Sequence, residues 1–171
     1  GYYREASIID RLHDDVIAPA RARGVETIWL AGISLGGLGA SLYARDRPGE
    51  IDGLALIAPY LGEDEILEEI EKAGGPRAWH PEAALAGEDV HRLWIWFQGY
   101  AGSAGPTAAH PTLLLAFGEG DRLRRGQRLL ARLLPPERVV TARGGHFWAT
   151  WRRLWDLLLA KGEIGRSSAL R

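Results

Sequence analysis

The sequence predicts an α/β fold built on a parallel sheet flanked by helices. Short apolar runs alternate with stretches of helical period, in the order helix, strand, helix, strand, insertion, strand, helix, strand, helix. Glycine or proline closes most of these segments. The first helix is read over Ser7–Arg23, where Ile8, Ile9, Leu12, Val16 and Ile17 share one face. Pro19 should kink or loosen its last turns, and Gly24 should stop it. The run from Thr27 to Ile33 reads as a buried strand, Ser34 to Arg45 as a helix ended by Arg47-Pro48-Gly49, and Ile51 to Ala58 as a second strand closed by Pro59. Leu113 to Phe117 and Arg138 to Ala142 supply the third and fourth strands, with a helix from Arg124 to Leu134 between them. The last helix spans His146–Ala160, with Trp148, Trp151, Leu154, Trp155 and Leu158 on one face.

Between the second and third strands lies an insertion, Leu61 to Pro111. It holds an acidic helix (Asp64–Lys72), an aromatic-rich helix (Val90–Phe97) and a Gly/Ala/Pro-rich return loop. The tail GEIGRSSALR has few large apolar residues and is expected to fray.

The bulk numbers bound what such a chain can be. With 171 residues and 46% hydrophobic content it can bury one sizeable core, so a single domain is expected. The net charge of −1, from 21 basic and 22 acidic residues mixed along the chain, argues against nucleic acid as a partner. No apolar run is long enough to span a bilayer. With no cysteine, disulfides and thiolate metal sites are excluded, and a cytoplasmic location is expected. The chain starts at Gly1 and contains no methionine, which is the expectation for a processed product or a piece of something longer.

The chemistry concentrates at "IWLAGISLGGLGA", Ile28 to Ala40. A serine on a tight strand-to-helix turn is exposed at the strand end, and the turn leaves little room two residues to either side. Gly32 and Gly36 occupy those places, giving G-I-S-L-G, and Gly37 and Gly39 should further allow the following helix to sit close to the sheet. The following helix would aim its N–H groups at a developing anion, with the Leu35 N–H as the nearest donor. The pentapeptide alone fits an N-capping serine equally well. A phosphate-cradling turn is disfavoured, because G-x-G-x-x-G and a Lys-Ser/Thr pair are both missing.

Two later residues decide for the nucleophile. Asp121 follows the third strand and His146 the fourth, each at the C-terminal strand end where parallel sheets place their sites. The order Ser34, Asp121, His146 supplies nucleophile, orienting acid and base. In these positions the chain resembles the α/β-hydrolase superfamily, over nearly its whole length. The resemblance implies a nucleophile elbow at Ser34, the acid at Asp121, the base at His146, and a small helical cap at about 61–111. It further implies strands on the far side of Thr27–Ile33 and a second oxyanion donor, neither present in this sequence. Hence the expectation of an N-terminally incomplete hydrolase domain, or of a homodimer covering the open edge.

The activity so implied is serine-dependent hydrolysis of a carboxylic ester or thioester, carboxylesterase-like, with a small-molecule substrate and no cofactor. Acyl transfer, cofactor-free perhydrolysis and a non-catalytic binding module of the same fold are the alternatives. Glu119 is a weaker rival to Asp121. His13 is read as surface, His80 and His91 as structural, His110 as a loop residue, and no metal site is expected. Trp94, Phe97 and Phe147 are candidate pocket residues, with core packing the common alternative for an aromatic cluster at helical spacing.

Overall fold

A computed structural model describes residues 7–81, 89–102 and 105–166. Four strands form one sheet in the order β1 (Trp29–Ile33), β2 (Gly53–Ile57), β3 (Thr112–Gly118) and β4 (Val139–Ala142), every pair parallel. Parallel neighbours need crossovers, and these are helical: α3 (Leu35–Asp46) after β1, and α6 (Arg124–Ala131) after β3. The insertion between β2 and β3 contributes α4 (Asp64–Lys72) and α5 (Asp89–Gln98), and α7 (Trp148–Ala160) follows β4. No helix among the described residues is long and apolar enough to cross a membrane.

Period-two side chains divide the sheet between two cores. Leu54, Leu56, Leu113, Leu115 and Phe117 face a large cluster that also takes in α3, α4, α5 and α6. Ala55, Ile57, Leu114 and Ala116 face a smaller cluster closed by Leu154 and Leu158 of α7. Burial on both faces explains why β2 and β3 read as unbroken apolar runs rather than alternating ones. β1 is an edge strand and is less buried. Trp94 and Phe97, considered above as pocket residues, are 1% and 0% exposed. They are core: Phe97 packs edge-on against Trp94, and the Trp94 indole N–H donates to the Leu61 carbonyl at 2.9 Å.

The loosening expected at Pro19 takes the form of a π-helical turn just before it, and two further expectations about the periphery need correction. α1 (Ser7–Leu12) passes through a π-helical turn, His13–Ile17, into α2 (Ala18–Ala22), with Pro19 in the first turn of α2. The wider turn makes room where the proline ring would meet the preceding carbonyl and its missing N–H would leave a gap. The tail is docked as far as Arg166, whose carbonyl accepts from the Trp29 indole N–H at 3.1 Å, while Ile164 packs on the smaller core. Residues 167–171 lie outside the described residues. His13 is half-buried rather than free on the surface.

His13 meets Glu50 at the far end of α3. Its Nδ1 lies 2.7 Å from a Glu50 carboxylate oxygen that also accepts from the Tyr43 hydroxyl at 2.6 Å. Burial alone would raise the Glu50 carboxyl, but the hydrogen bonds from Tyr43 and His13 outweigh it and hold it below its ordinary value of 4.5. A depressed carboxyl stabilises the fold above its unfolded-state value, and the contribution is lost as pH falls through the folded-state value. Glu50→Gln is therefore expected to lower unfolding free energy by about 1 kcal/mol at neutral pH. Urea melts across pH should show the difference from wild type shrinking in acid; a gap that persists there contradicts this account.

Candidate active site

The site grows out of the C-terminal edge of the sheet. β1 runs directly into α3, and the single residue between them, Ser34, takes φ 53° and ψ −120°. Side chains rarely tolerate that conformation, so neighbouring groups must hold it. The Ser34 N–H donates to the Ile57 carbonyl, and the Ser34 carbonyl accepts from Gly37 N and Tyr60 N, each at 3.0 Å.

The turn succeeds because α3 backs closely onto β1. A Cβ on Gly32 would drive into the backbone of Gly36 and Gly37, and one on Gly37 would lie 2.7 Å from the Pro59 Cβ. A Cβ on Gly36 meets nothing within 4 Å among the described residues. The crowding expected of Gly36 thus falls on Gly37, because the helix turns position 36 outward and position 37 toward the end of β2.

Asp121 sits in the turn after β3 with its side chain fully buried. Its Oδ1 accepts from Leu123 N at 2.8 Å, and both carboxylate oxygens lie 3.0 Å from His146 Nδ1. Glu119 stays exposed and makes only a backbone bond to Ala142. His146 leaves β4 through Gly144, whose φ is 139° and whose carbonyl accepts from Gly120 N at 2.9 Å. That bond ties the histidine loop to the acid turn. The imidazole packs edge-to-face on Trp151 at 5.0 Å and places Nε2 2.9 Å from Ser34 Oγ. With Asp121 at one ring nitrogen and Ser34 at the other, the Nδ1–H tautomer leaves Nε2 as the acceptor facing the hydroxyl.

No family model and no curated protein matches the chain. Among solved structures it resembles a monoacylglycerol lipase from Paleococcus ferrophilus, at 18% identity and TM-score 0.51, over 90% of this chain and 76% of that one. It also resembles a ferulic acid esterase, at 14% identity and TM-score 0.52, over 89% of this chain and 60% of that one. The chain has the α/β-hydrolase fold.

Within that α/β-hydrolase fold, Ser34, Asp121 and His146 converge, while the other candidates divide. Leu35 opens α3, and Phe147 stands exposed beside His146. Trp94 and Phe97 belong to the core. Two contacts escaped the sequence reading. Trp151 carries helical-period burial, which gave no hint that its ring would face the histidine. Tyr60 follows Pro59, and its link to the Ser34 carbonyl is a backbone bond without a residue-type signature.

The glycine geometry of the turn at Ser34 is directly testable. Gly32→Ala should cost about 1–3 kcal/mol or more, since backbone must move to admit the methyl group. Gly36→Ala should leave melting unchanged or slightly raised, because alanine is the better helix former. Equal losses in the two variants, measured by thermal unfolding, contradict the packing described.

Proposed function

We propose that the chain is a serine hydrolase that cleaves a carboxylic ester or thioester through an acyl-enzyme. The carrying observation is the unbroken hydrogen-bond line from Ser34 Oγ through His146 to Asp121, at 2.9 and 3.0 Å. His146 Nε2 removes the hydroxyl proton as Ser34 Oγ bonds to the acyl carbon, and the carbonyl oxygen takes up negative charge. The Leu35 N–H, at the positive end of α3, supports that oxygen. Collapse of the intermediate expels the alcohol or thiol, which takes its proton from His146. Water then repeats the sequence on the acyl-enzyme: His146 accepts a water proton, hydroxide adds to the carbon, and Ser34 leaves with the proton returned. Buried Asp121 holds the imidazole in one tautomer and stabilises its charged form.

The proposed substrate is a small ester, in keeping with the lipase and esterase named among similar structures. The insertion at about 61–111 is proposed to bound the substrate as part of the same single domain. It starts beside Tyr60, whose N–H holds the nucleophile's carbonyl. Burial, with Glu63 accepting its hydroxyl proton at 2.6 Å, pushes the Tyr60 phenol well above its ordinary value. Tyr60 therefore remains a neutral donor at the mouth of the insertion.

Ser34→Ala should abolish both hydrolysis of a short p-nitrophenyl ester and labelling by a fluorophosphonate, with melting unchanged. Wild-type protein that neither hydrolyses the ester nor takes the label overturns the proposal. Asp121→Asn should retain the fold yet lower kcat by roughly 10⁴, because the amide favours the wrong imidazole tautomer. Steady-state kinetics on the two variants separates the nucleophile from the positioning residue.

A further inference from the structure

Behind the acid turn lies a cluster of cations that the hydrolytic reading does not use. From Arg122 to Pro136 the chain carries five arginines and no acidic residue, in a protein whose net charge is −1. Arg122, Arg124, Arg125, Arg128 and Arg132 line one groove of about 470 Å³ between α6 and α4. Asp64 and Glu71 are the acids in its lining, and both are engaged by Arg125, at 3.3 and 2.8 Å. Arg124 and Arg132 donate to backbone carbonyls of Asp121 and Gly74, which carry no net charge. Arg122 and Arg128 are exposed and make no ion pair among the described residues.

A solvated, charge-balanced helix face would look different. Arg124 and Arg128, and again Arg128 and Arg132, stand four residues apart, the spacing at which like charges on a helix repel. Both acids pair with Arg125, so Arg122, Arg124, Arg128 and Arg132 have no ion pair among the described residues. Guanidinium groups present paired N–H donors in a planar fork that matches phosphate oxygens, and several around one concavity suit a ligand with more than one such group. All five cations come from α6 and its flanks, while α4 contributes only the two acids held by Arg125, so the ligand lies along the α6 wall of the groove.

We propose that this groove binds a phosphate-bearing polyanion. The shared chemistry is the phosphate group, supplied by a soluble polyphosphorylated molecule or by a lipid headgroup. The assignment does not depend on the hydrolytic reading, since no group in the groove touches Ser34 or the His146 ring.

Calorimetric titration of the full chain with inorganic tripolyphosphate at low salt tests it. Saturable binding is expected, with a melting temperature that rises with ligand concentration and an affinity that falls with added salt. Arg122→Glu combined with Arg128→Glu should weaken binding at least about tenfold. Arg92→Glu combined with Arg153→Glu, the same charge change elsewhere, should leave it unchanged. Should the first pair unfold the protein, the neutral pair Arg122→Gln and Arg128→Gln carries the same comparison. Phosphatidylglycerol vesicles distinguish the source: binding that tripolyphosphate competes away identifies a headgroup, and tripolyphosphate binding without vesicle binding identifies a soluble ligand. No saturable binding to either, or equal loss in both charge-reversed variants, overturns the proposal.

Discussion

The structure hinges on the backbone of Ser34. A non-glycine residue at φ 53° and ψ −120° costs on the order of 1–3 kcal/mol and persists only where its surroundings over-determine it. Here the surroundings are the last rung of the sheet. The residue just past β1 donates to β2, as Ser34 N to Ile57. Ala58 N, just past β2, donates to Ala116 of β3, and Glu119 N, just past β3, donates to Ala142 of β4. Each strand end is thus sewn to the next by one slanted parallel bond beyond the regular ladder. Ala58, itself at φ 47°, is the second strained residue on this rung. The strain and the fastening occur together, so the position of Ser34 is inherited from the sheet rather than from a loop.

That geometry explains why three residues are needed. Neighbouring strands lie about 4.8 Å apart, so the ends of β1 and β3 are separated by roughly 10 Å. Ser34 and Asp121 cannot meet across that gap. An imidazole can bridge it, because its two nitrogens point in different directions and carry opposite hydrogen-bonding roles. His146 must then reach back from β4, beyond the acid. The loop manages this by lying on the acid turn: Gly120 N donates to the Gly144 carbonyl, and that carbonyl occupies the space a side chain on Gly118 would need. The turn that carries Asp121 and the loop that carries His146 are thus tied to one another by a backbone bond of their own.

These local features were largely legible in the sequence. Each strand was announced by an apolar run, and each chemistry-bearing residue fell just past a run, where period and punctuation are strongest. What stayed hidden was contact between segments far apart in the chain. Nothing local at His13 announces Glu50, 37 residues away. Whether Trp94 and Phe97 fill a core or line a pocket depends on how the insertion settles against α3, and helical period is the same in both cases. The turn at Ser34 shows the finer limit: the close approach read at Gly37 is there, but the crowding read at Gly36 is not, because the pattern counts residues while the clash depends on the direction of a Cβ.

The segment after β3 also has to keep two kinds of charge apart. Asp121 bonds to His146, yet five arginines follow within eleven residues of it. A guanidinium against the carboxylate would compete with the imidazole for it. Folding prevents this through direction. The Asp121 carboxylate is fully buried and receives hydrogen bonds from Leu123 N and the His146 ring, while the Arg124 side chain donates to the Asp121 backbone carbonyl. The backbone of one turn therefore separates the Asp121 carboxylate from the arginine-lined groove behind it. The same separation leaves Arg122 and Arg128 exposed, while Arg125 turns to Asp64 and Glu71 of α4 rather than to Asp121.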